Sequence, residues 1–93
     1  MHEAIDNESI SLSSQVRYRS VSDEGVLVHL ENGRVVVVNQ VGLHIVGCLK
    51  EPTTHDNLVE SIAAEFDVSS RQAAADLDLF LAELDQDQLL DRH

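Results

Sequence analysis

Apolar and polar positions change their period once along this chain, near Asn39. Residues 1–10 are polar, acidic and without period, and read as a disordered amino-terminal tail. A loose alternation follows, with Val16, Tyr18 and Ser20 on one side and Arg17 and Arg19 on the other. That spacing predicts a first strand. "SDEG" then predicts a turn in which Gly25 supplies a positive φ. Residues 26–31, "VLVHLE", predict a second strand interrupted by His29. Asn32-Gly33 predicts a hairpin with a type I′ turn, which needs positive φ at both central residues. The chain returns as "RVVVVN", residues 34–39, a third strand with four consecutive valines. A half-buried strand alternates apolar and polar residues. This one does not, which raises the question of what covers its second face or lies along its free edge.

Beyond Asn39 the spacing is helical. Val41, Ile45, Cys48 and Leu49 share a face, Asn39 is placed to cap the helix, and Glu51-Pro52 ends it. Thr53 or Thr54 caps a second helix, along which Leu58, Ile62 and Phe66 recur at i, i+4 and i+8. "DVSS" breaks it, and Ser69 or Ser70 caps a third helix over about residues 71–85, whose pattern allows it to run on to Leu90. The fold class is α+β: a three-stranded antiparallel sheet followed by three helices, with the parts of a winged helix-turn-helix. Nothing after residue 10 marks a linker, so residues 11–93 read as a single domain.

The third helix carries two apolar stripes. Ala73, Phe80, Leu81 and Leu84 lie within about 60° of Leu77 at 100° per residue, and form the core stripe. On the opposite side Ala75, Leu79 and Ala82 recur, bordered by Asp76 and Glu83 on one flank and Asp78 and Asp85 on the other. Two readings stand. Ala can be present for helix propensity beside one exposed Leu, or the stripe is a shallow apolar strip rimmed by carboxylates.

Composition narrows the function. The net charge of -11 repels phosphate backbones, and the third helix lacks the basic residues of a recognition helix, which argues against nucleic acid. One cysteine excludes an internal disulfide. The amino terminus shows no secretory signal and no apolar run is long enough for a membrane span, so a cytoplasmic protein is expected. His44 and Cys48 stand at i, i+4, but two ligands do not make a catalytic zinc site. No phosphate loop, nucleophile elbow or Cys/His nucleophile pattern is present, so neither an enzyme nor a cofactor is expected. "DVSS" is not the Asp-Ser-Leu that a carrier protein needs.

Several segments together resemble one family. "DEGVLVHLENGRVVVVNQVG", the apolar "LHIVGCL", "THDNLVESIAAEFDV" and "AAADLDLFLAELDQDQLL" are similar, in that order, to the PqqD-like proteins, also called RiPP recognition elements. The likeness covers about residues 16–90, and the Asn39 and Gly42 pair and the "AAADLDLFLAEL" run are its most specific parts. The resemblance implies a non-catalytic peptide chaperone. Such a protein binds the leader of a ribosomally made precursor peptide as an added strand, in a groove between the third strand and the third helix. It presents the precursor to a separate modifying enzyme, such as a radical enzyme, a peptidase or a cyclase. With 93 residues the chain is expected to act in trans. The implied peptide-binding residues are Arg34, Val35, Val36, Val37 and Val38 on the strand and Asp76, Leu79, Phe80 and Glu83 on the helix. Which helix face lines the groove is left open by the sequence. The alternative is a degenerate winged-helix module that binds a protein or DNA.

Overall fold

The structure, a computed structural model, describes residues 8–93. Its elements run β1 (Ser9–Leu12), β2 (Val16–Val21), β3 (Glu24–His29), β4 (Val35–Val38), α1 (Gln40–Cys48), β5 (Thr53–Thr54), α2 (His55–Phe66), α3 (Ser70–Gln86) and β6 (Leu90–Arg92). The α+β class and the three helices are as expected, but the strands form two small sheets. β2, β3 and β4 make the antiparallel meander foreseen from the valine-rich runs. The second sheet has the order β5-β1-β6, with β1 antiparallel to both neighbours.

That second sheet corrects two expectations. The aperiodic tail expected over residues 1–10 includes Ser9 and Ile10, yet both lie in β1, and Ile10 is buried in the core. The rest of the expected tail, residues 1–7, lies outside the described residues. The third helix does not continue to Leu90. It ends at Gln86, Gln88 takes φ 63°, and the chain turns so that buried Leu89 closes the core and β6 pairs with β1. Short strands such as these carry too few residues for a period to emerge.

Two turn expectations are also corrected. Gly25 lies within β3 rather than in the turn, and Ser22 takes the positive φ, at 57°. Space at Gly25 is tight: a methyl group there would lie 2.9 Å from Leu43 Cδ1 and 3.0 Å from Val38 Cγ2, so the ends of those side chains would have to move. At Asn32-Gly33 only Gly33 has positive φ. The connection spans residues 30–33 rather than two residues, because His29 N–H donates to the Arg34 carbonyl and Gly33 N–H to the His29 carbonyl, each at 2.9 Å. His29 explains the longer loop. Its ring is buried, and Nδ1 accepts the amides of Glu31 at 3.2 Å and Asn32 at 3.3 Å, satisfying donors that the turn would leave unpaired.

Each helix starts where a side chain can cap it. Asn39 Oδ1 accepts from Gly42 N–H, Thr54 Oγ1 from Asn57 N–H, and Ser69 Oγ from Gln72 N–H. The core is aliphatic. Leu27 and Val38 of the meander meet Ile45, Val46 and Leu49 of α1, Leu58 and Ile62 of α2, and Ala73, Leu77, Leu81 and Leu84 of α3. The expected core stripe of α3 is thus the buried one, with Phe80 half-buried at its margin.

Candidate peptide-binding site

The four valines of β4 do alternate, in burial rather than in chemistry. Val38 is buried and Val36 packs against the core, whereas Val35 and Val37 are 61% and 62% exposed. One face meets the core and the other lies open. β4 is also an edge strand: among the described residues it is bonded only to β3. Its hydrogen-bonding parity follows from the register. Bonded pairs alternate along an antiparallel ladder, and His29 N–H donates to Arg34 O. The next bonded pairs are therefore Leu27 with Val36 and Gly25 with Val38. The amides and carbonyls of Val35 and Val37 point to the open side, two donors and two acceptors free to accept another strand.

A groove of about 320 Å³ opens beside this edge. Asp76, Leu79, Phe80 and Glu83 of α3 form one wall, and Asn39, Val41, Gly42 and Ile45 form the other. It adjoins β4 through Gly42, which lies so close to Val38 and Phe80 that a methyl group there would stand 2.8 Å from Val38 Cβ and 3.1 Å from Phe80 Cε1. Separately, Arg34 Nε reaches Asp87 Oδ1 at 3.7 Å, tying the start of β4 to the residue that follows α3.

The structure thus brings all four helix residues read from the sequence into one groove and places the valines on the adjoining edge. Arg34 lies just before β4 and faces Asp87. The α3 face toward the groove is the flank of the apolar strip that holds Asp76, Leu79 and Glu83, with Leu79 70% exposed. Gln72 Nε2 donates to Asp76 Oδ1 at 2.9 Å and holds that carboxylate in place. The sequence reading missed the α1 wall. The helical spacing of Val41 and Ile45 does not show that they also line a groove, and Ile45 belongs to the core as well. Asn39 and Gly42 carried a signal, since they are the part of α1 most specific to the resemblance.

His44 and Cys48 do share a face of α1. His44 Nε2 is 2.7 Å from Ser61 Oγ and 3.8 Å from Cys48 Sγ, and the group joins α1 to α2 away from the groove. No group of three or more His, Cys, Asp or Glu able to hold a metal occurs among the described residues. No helix among them is long and apolar enough to cross a membrane.

A small winged-helix-like α+β fold whose valine-rich edge strand lies beside a groove is the class that fold and site define. A comparison with protein families matches residues 24–90 to "Coenzyme PQQ synthesis protein D (PqqD)". The chain belongs to this PqqD-like family, the RiPP recognition elements. Among solved structures it is similar to "TbiB1 in Complex with the TbiA(beta) Leader Peptide", at 32% identity and a TM-score of 0.79, over 87% of this chain and 94% of that one. No curated protein matches it.

Proposed function

We propose that this protein captures the leader of a ribosomally made precursor peptide and presents the precursor to a separate modifying enzyme, without catalysing a reaction itself. The leader adds to β4 as a further strand. Its backbone bonds the free groups of Val35 and Val37, and its alternate side chains drop into the groove between α1 and α3, against Leu79, Phe80 and Val41. Main-chain bonds supply affinity and the pockets supply selectivity. Micromolar binding corresponds to about -8 kcal/mol, within reach of a short strand with two or three buried side chains. The single observation that carries this reading is the open β4 edge lying directly beside the groove. The solved leader complex of a similar chain supports it.

Proline substitution tests the reading at two adjacent positions. Proline is tolerated in a sheet where its missing donor would face outward. Val37→Pro should remain folded with little loss of stability and weaken leader binding by about tenfold or more, which corresponds to one strand bond and a steric block. Val36→Pro removes a ladder donor and should destabilise the domain by about 1–3 kcal/mol. Circular dichroism melts and a titration with the leader encoded nearest this gene read both outcomes. Normal binding by a folded Val37→Pro variant contradicts strand addition at β4.

A further inference from the structure

Among the described residues the meander has a second open edge, β2, and its surroundings carry the opposite charge. By the same parity, Arg17 and Arg19 bond to Val28 and Val26 of β3, as the bond from Leu30 N–H to Gln15 O at 2.8 Å requires. The amides and carbonyls of Tyr18 and Ser20 therefore point away from the sheet. A groove of about 790 Å³ lies along this edge, with β2 as one wall and residues 12–14 with Lys50 as the other. Three of the chain's six Lys and Arg residues, Arg17, Arg19 and Lys50, line it, although the net charge is -11. The β4 groove is rimmed instead by Asp76 and Glu83. On the outer sheet face Arg17 and Arg19 also flank Val26 and Val28 around an apolar hollow of about 150 Å³.

We propose that the β2 edge is a second docking site, which takes an extended acidic and aliphatic segment of a separate protein as an added strand. Side chains of an added strand alternate between its two faces. Carboxylates on the outer face would meet Arg17 and Arg19, while aliphatic side chains on the inner face would enter the groove toward Leu12 and Tyr18. Charge sorts the two edges, because such a segment is repelled by the carboxylates of the β4 groove and attracted here. The proposal goes beyond leader capture and does not depend on it. Basic residues on an edge strand also serve to prevent edge-to-edge aggregation, and the experiment separates that role from binding.

The probe is a short synthetic peptide that alternates valine and glutamate, titrated at low salt into the isotope-labelled full chain and followed by amide chemical shifts. The same peptide with lysine for glutamate is the control. The largest shifts should fall on Tyr18 and Ser20, and the lysine peptide should leave them unmoved. The double variant Arg17→Glu with Arg19→Glu should keep its melting temperature and lose about tenfold or more in affinity. Val37→Pro should bind the probe normally, so that failure of leader capture and failure of this site are distinguishable. Absence of binding, shifts centred on Val35 and Val37, or equal binding of the lysine peptide overturns the proposal. So do Tyr18 and Ser20 shifts that depend on protein concentration without peptide, which would make a second copy the occupant.

Discussion

Leu77 and Leu79 are two positions apart on α3 and have opposite fates, one fully buried and the other 70% exposed. Leu77→Ala should cost about 2–5 kcal/mol in chemical denaturation, as a core truncation that leaves a cavity. Leu79→Ala should change stability by no more than about 0.5 kcal/mol and yet weaken leader binding. Comparable destabilisation by both would place Leu79 in the core and remove it from the groove wall. This division was legible in the sequence because a long helix repeats its faces several times, so one stripe could be told from the other. The sequence marked Gly42 through the resemblance and Gly25 as a turn glycine, but not the crowding that each sits in. The reason each lacks a side chain is the approach of Val38 with Leu43 or Phe80, a contact between elements that no local spacing encodes.

At the scale of elements, the helices, their caps and the meander were readable, and β1, β5 and β6 were not. Asn39, Thr54 and Ser69 each cap a helix at a place the sequence marked. β1, β5 and β6 have only two to four residues each and arise from pairing between distant segments, as in Ile10 with Arg92. Asn39, between β4 and α1, matters doubly, since it caps α1 and lines the groove. Asn39→Ala should therefore cost about 0.5–2 kcal/mol of stability through the lost cap, read from thermal or urea unfolding, and reduce leader affinity as well. A variant of unchanged stability would show that the Asn39 cap contributes nothing to α1.

At the scale of the whole molecule, the groove along β2 is lined by Arg17, Arg19 and Lys50 and the groove near β4 by Asp76 and Glu83. The acidic rim of the β4 groove predicts how a basic leader arrives. Replacing Asp76 and Glu83 by Asn and Gln should lower the association rate more than it changes dissociation, and added salt should do the same in the unmodified protein. Stopped-flow measurements showing a salt-independent association rate for a basic leader would exclude electrostatic steering.

The central claim is that a peptide strand completes the sheet at β4, and amide hydrogen exchange reports it residue by residue. In the free protein Val36 and Val38 donate within the ladder and should exchange slowly, while the outward amides of Val35 and Val37 exchange fast. Saturating leader peptide should slow exchange at Val35 and Val37 by about tenfold or more, as expected when an exposed donor enters a sheet bond. Protection that appears only at groove residues such as Leu79 and Phe80, with Val35 and Val37 still exchanging freely, would contradict strand addition.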